Sequence, residues 1–123
     1  MKIVALICRL LLGVIFVVFG SNIYFHFLKM PPPEGQAGAF MGAMFGSGYM
    51  YAVAAFQVVG GLILLTGRFT PLGLTLLGPV IVNIMFFHIF LAPAGLPLAI
   101  VVSILALVLL YYHRQSFAGL VKA

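Results

Sequence analysis

The sequence contains no aspartate and one glutamate, Glu34, and charged residues fill only 6% of its 123 positions. A water-soluble domain uses about a quarter of its residues as Asp, Glu, Lys and Arg. So sparse a set cannot cover a globule in water, and the outside must face lipid. The same shortage leaves no pair of carboxylates and no Ser/His/Asp set for acid–base or nucleophilic chemistry. The apolar runs carry no acid, so they lack the carboxylate relay that pumps and coupled transporters use. These absences argue against a self-sufficient hydrolase or coupled transporter. Cysteine is nearly absent too: Cys8 stands alone, so neither an intramolecular disulfide nor a Cys-x-x-Cys redox pair can form. Cys8 reads as a small apolar helix residue.

What is present is apolar: 65% of the chain is hydrophobic. The net charge of +5 does not indicate nucleic acid. A nucleic-acid binder clusters its basic residues on one face, whereas Lys2, Arg9, Lys29, Arg68, Arg114 and Lys122 are scattered singly near the ends of apolar runs. Membrane proteins place basic residues there.

Four runs are long enough to span a bilayer core of about 30 Å: residues 3–28, 48–67, 71–91 and 96–112. A signal peptide is the competing reading of the first. The run is too long for one, Arg9 interrupts it, and no small-x-small cleavage site closes it. The link Arg68-Phe69-Thr70 between the second and third runs is short enough to force an antiparallel hairpin. Pro93 and Gly95 punctuate the last turn, and Pro97 falls in the first turn of the fourth run, where a missing N–H costs nothing. The chain is therefore expected to be a single domain, an all-α integral membrane four-helix bundle. Lys2, Arg9, Arg68, Arg114 and Lys122 fall on one side and only Lys29, offset by Glu34, on the other. The positive-inside rule then puts both termini in the cytoplasm.

The connection 29–47 would lie on the outer side. It opens with Pro31-Pro32-Pro33, a stiff extended piece. Ala37, Phe40, Met41, Met44 and Phe45 follow at helical spacing and predict a short interfacial helix. It reads either as an apolar connector resting on the bilayer or as a lid. Met30, Met41, Met44 and Met50 would lie on the same side; without a Met-x-x-Met repeat beside His they read as apolar packing rather than a copper site.

Polar groups in hydrocarbon are costly unless paired. Asn22 and His26, four apart, share a face of the first run. Gln57 lies near Gly60 and Gly61 in the second, and Asn83 and His88 occupy the third, where Pro79 removes a helix bond to the Thr75 carbonyl. At about 1.5 Å per residue, Asn22, Gln57 and Asn83 fall about 9 to 13 Å below the outer edge, and His26 and His88 at about 3 to 5 Å. Asn83 and His88 are about 140° apart around their helix and would not both point into the bundle. Three chemistries fit the five residues. The amides can join helices by hydrogen bonds while the glycines admit close approach and the histidines reach interfacial water. His26 and His88 can ligate haem from two helices. Imidazole and amides can instead hold the head group of a quinone or other lipid-soluble molecule.

The stretch from Arg9 to Asn22, the pair His26-Phe27 before the triple proline, Val59 to Phe69 and, most specifically, Gly78 to Pro93 together resemble the DoxX family over essentially the whole chain. The resemblance implies a four-helix protein of the bacterial inner membrane, either an accessory subunit of a quinone-linked redox system or a partner in a larger membrane complex. At most it would be an oxidoreductase subunit. It maps onto Asn22, His26, Gln57, Pro79, Asn83 and His88. In relatives an acidic residue is expected in the last helix, before an Arg-Asp-x-Phe ending; here Ala106 and Gln115 stand in those places, so any proton chemistry of that acid is lost. Three roles remain in view: a quinone-linked accessory subunit, a structural subunit holding other membrane proteins or copies of itself, and a passive binder or exporter of a hydrophobic solute.

Overall fold

The computed structural model describes residues 1–27 and 33–120. The predicted ends of the first run at Leu28, and Lys29, Met30, Pro31, Pro32 and Lys122, lie outside the described residues. The chain is all-α. Helix α1 spans Lys2–Phe25, α2 Gly35–Gly46, α3 Tyr49–Thr66, α4 Thr70–Phe90, α5 Leu96–Tyr112 and α6 Arg114–Phe117, with short 3-10 turns at Pro93–Gly95 and Ala118–Leu120. Four segments are long and apolar enough to cross a membrane: α1, α3, α4, and α5 together with the 3-10 turn before it. Helix α2 is the short helix between the first two.

Local chemistry sets the boundaries. The first apolar run continues beyond its helix: His26 adopts the left-handed conformation (φ 54°) and donates its N–H to the Asn22 carbonyl at 2.7 Å. Gly48 (φ 82°) and Gly67 (φ 76°) bracket α3 in conformations that cost glycine little. Pro71 sits in the first turn of α4, and α4 runs unbroken through Pro79. At its far end the N–H groups of Leu91 and Ala92 both reach the Phe87 carbonyl, at 2.8 and 3.0 Å, and turn the chain into α5.

The spanning helices close a ring in which α1 contacts α3, α3 contacts α4, α4 contacts α5, and α5 returns to α1. Large side chains such as Ile7, Phe56, Val82 and Leu107 remain exposed around it, as a lipid-facing surface requires. Lipid tails are as apolar as leucine, so helix association there depends on close packing. The glycines supply it. A Cβ on Gly13 would lie 2.9 Å from the Gly61 carbonyl oxygen, and one on Gly61 would lie 2.9 Å from that of Gly13. Gly60, one residue on, turns to α4, where a Cβ would meet Leu77 at 2.7 Å. The adjacent glycines thus serve two different interfaces.

Each spanning helix contributes one fully buried leucine: Leu12, Leu64, Leu77 and Leu109. By the helical rise all four lie within about 15 Å of the end of the bundle that carries the termini. At that end Arg9 donates from Nη1 to the carbonyls of Leu64 and Leu65, capping the last turn of α3 with a cation where the helix dipole is negative. Burial, and then the Arg9 charge, hold His113 below its ordinary pKa of 6.5. The unfolded chain therefore binds this proton more readily than the folded one. Its contribution to stability is complete above about pH 6.5 and falls away as pH drops through the lowered folded value. The melting temperature in detergent should decline between pH 7.5 and 5, and His113→Gln should flatten that decline; an unchanged slope in the variant would assign it elsewhere.

Candidate functional site

The opposite half of the bundle is less densely filled. There a cavity of about 650 Å³ opens between α3 and α4, with α2 across its end. Helix α2 is fastened by rings at its middle and near its C-terminal end. Phe40 packs against Phe87 of α4 with centroids 5.6 Å apart, and Phe45 meets Tyr51 of α3 edge-on at 6.1 Å. Ala37, on the same helix, is 4% exposed. The expected short helix is thus docked on the bundle and forms one wall of the cavity with Phe40, Met41 and Met44. Met50, Val53 and Phe56 of α3 and Val80, Ile84 and Phe87 of α4 supply most of the remaining apolar lining. Flexible, polarizable methionines suit a wall that must adapt to a ligand.

Three of the five residues singled out from the sequence, Gln57, Asn83 and His88, line this cavity. Gln57 lies 6% exposed on α3, its Cβ near Gly20 of α1, and its side-chain amide makes no hydrogen bond among the described residues. Asn83 is exposed and donates from Nδ2 to the Pro79 carbonyl at 2.8 Å, within its own helix. Neither amide therefore joins two helices. Asn83 and His88 occupy the two flanks of an α4 face whose middle is Val80 and Phe87. The angle between them, about 140°, falls within the lined face, which extends past Asn83 to Pro79, and does not keep either residue from the cavity.

His88 is fixed from two directions. Its Nδ1 lies 3.0 Å from the Ala92 carbonyl, which accepts only from an N–H. In the neutral ring this leaves Nε2 as an acceptor. The ring also lies against Gly95, where an added Cβ would stand 2.5 Å from Nδ1. Gly95→Ala should therefore dislodge the ring while leaving the helices intact. The check is the histidine side-chain NMR signal, which should lose the shift of a hydrogen-bonded Nδ1–H as helicity by circular dichroism is retained.

Asn22 and His26 are not among the lining residues. Asn22 is half-buried on α1; His26 is exposed at the end of that helix, its ring 6.5 Å from that of Phe45. Helix α1 packs on α3 and α5 and lies diagonally across the ring from α4. Equal depth in the membrane does not bring these residues to one place. The sequence reading missed Tyr49, Val53 and Phe56. Tyr49 opens a helix with no amphipathic contrast, and the other two carry no signal that separates a cavity wall from a lipid-facing residue.

No charged side chain lines the cavity among the described residues. What it offers is a long apolar wall, two neutral amides and an imidazole acceptor, a set suited to an uncharged, mostly apolar molecule with a polar head. Phe56, Pro79 and Asn83 are exposed lining residues, so the cavity is open along the seam between α3 and α4.

No curated protein and no solved structure shows a significant match to the chain. The DoxX family model matches residues 4–92 and stops before α5, so the expected kinship over essentially the whole chain is supported only from α1 to the end of α4, and Ala106 and Gln115 lie beyond the match. With that match over most of its length and four helices able to cross a bilayer, the chain belongs to the DoxX family and is a small multi-pass membrane protein.

Proposed function

We propose that this protein is an accessory subunit of a quinone-linked membrane redox system and holds the head group of a quinone or similar lipid-soluble molecule between α3 and α4. The observation that carries this reading is Gln57, a buried residue whose amide makes no hydrogen bond among the described residues and stays open to the largely apolar cavity that it lines. In lipid such a group is costly unless something satisfies it. A quinone carbonyl would accept from the Gln57 amide, a quinol hydroxyl would donate to Nε2 of His88, and Asn83 would face the same head group from α4. The apolar wall would take the ring and the start of the tail, entering sideways from the bilayer. The protein would bind and orient the molecule; electron transfer would belong to a partner subunit. The distribution of basic residues supports a bacterial inner-membrane orientation with both termini cytoplasmic and α2 on the outer side.

The test is to purify the protein in mild detergent, extract it, and quantify bound quinones by mass spectrometry beside an oxidised-minus-reduced visible spectrum. A near-stoichiometric quinone without a Soret band is expected. A Soret band lost on His26→Ala or His88→Ala would replace this reading with a haem protein. Neither ligand, with other membrane subunits co-purifying, would favour a structural role.

A further inference from the structure

A second cavity, of about 400 Å³, lies at the end of the bundle that carries the termini, among α1, the α3–α4 link and the end of α5. Its chemistry is the reverse of the first: Lys2, Arg9 and His113 line it together with Thr70 and Tyr112, and among the described residues no carboxylate does. Glu34, the only acidic side chain in the protein, precedes α2 at the opposite end.

Arg9 is a half-buried cation without a counter-ion among the described residues. Its Nη1 is engaged by the Leu64 and Leu65 carbonyls, while Nη2 and Nε have no acceptor among the described residues. Thr70 provides an independent indication. It is 4% exposed and its side chain lines the cavity, yet its hydroxyl makes no hydrogen bond among the described residues. It is also the first residue of the 21-residue α4, so the positive end of that helix dipole lies at the same place. A guanidinium, an ammonium, the hydroxyl of a buried threonine that stays open to the cavity and a helix N-terminus converge on one volume. Each lacks an anionic oxygen.

We propose that this cavity binds the phosphate of an anionic phospholipid. Phosphate suits the donors, since guanidinium pairs with its oxygens and helix N-termini bind it readily. A lipid is favoured over a free ion because Ile3, Leu6 and Leu109 complete the lining, and Ile3 and Leu6 are exposed on the lipid-facing side of α1. A basic floor beside an apolar wall matches an amphiphile, and basic pockets between transmembrane helices are known sites for acidic head groups. The bound head group would neutralise Arg9 and tie α1, α4 and α5 together where the ring closes.

The test uses delipidated protein in mild detergent with three probes: phosphatidylglycerol, phosphatidylcholine with the same acyl chains, and inorganic phosphate. Native mass spectrometry and melting temperature are the readouts. Phosphatidylglycerol should be retained at least about tenfold better than phosphatidylcholine, as the loss of one hydrogen bond to a charged group implies, and should raise the melting temperature. The double variant Lys2→Gln with Thr70→Val should keep its helicity and lose that preference; it spares Arg9, whose replacement would also uncap α3. Equal retention of the two lipids, or an undiminished preference in the variant, would overturn the proposal. An equal effect from inorganic phosphate would overturn the lipid assignment in favour of a free-ion site.

Discussion

Gly61→Leu is expected to cost about 3 kcal/mol or to prevent folding altogether, at the upper end for overpacking a tight interface. The reason is what the new side chain meets. The Cβ alone would stand 2.9 Å from the Gly13 carbonyl oxygen and 3.0 Å from the Val17 backbone nitrogen. Both atoms belong to the α1 backbone and cannot rotate aside, so α1 and α3 would have to separate along their most extensive contact. Helices in lipid have little hydrophobic drive to re-form a loosened contact, because the tails solvate leucine equally well. Gly78 gives the control: an added Cβ there meets nothing within 4 Å. Gly78→Ala should leave the melting temperature unchanged or raise it by relieving the conformational cost of glycine in a helix. Circular dichroism melts of the two variants in the same detergent make the comparison. Equal melting of Gly61→Leu and the wild type would mean that the helices do not cross at these glycines.

Gln57→Leu should separate binding from stability. The amide opens on an apolar cavity and makes no hydrogen bond among the described residues, so removing it takes a polar group off an apolar wall without breaking a hydrogen bond of the protein. The folded protein should be as stable as the wild type or more stable by about 1 kcal/mol. Quinone retained through purification should fall by about five- to tenfold, the worth of one good hydrogen bond in a dry site. A substitution that helps the fold and harms the ligand is difficult to reconcile with an amide that joins helices. If the variant instead melts well below the wild type, with or without ligand, Gln57 is structural and the protein is better read as a scaffold for membrane partners. Asn83→Leu should weaken ligand less and hardly alter folding, because the Asn83 amide is exposed and already bonds within its own helix.

The chemistry of the candidate site was partly legible in the residues. Polar groups in an apolar run stand out because hydrocarbon cannot solvate them, and Gln57, Asn83 and His88 were identifiable on that ground alone. Helical rise gave their depth. It could not give their direction around the bundle, so Asn22 and His26, at matching depths, were grouped with a cavity that they do not line. Which helices are neighbours and which are diagonal depends on packing between segments far apart in sequence. The glycines show the same division. Gly60 and Gly61 mark close approach by composition, but only the ring order reveals that one faces α4 and the other α1.

The sequence by itself determined the solvent, the helix count and the residues too costly to leave unexplained, because each follows from local composition: too few charges for water, four apolar runs, and amides and imidazoles in lipid. Tertiary structure alone decided that α2 docks on α3 and α4, that the densest core lies at the terminal end, and that the other half holds a cavity. It also brought Arg9 and Thr70 to one basic pocket although they are remote along the chain. These outcomes depend on how side chains from different helices fill a shared volume, a property of the assembled bundle that no single apolar run contains.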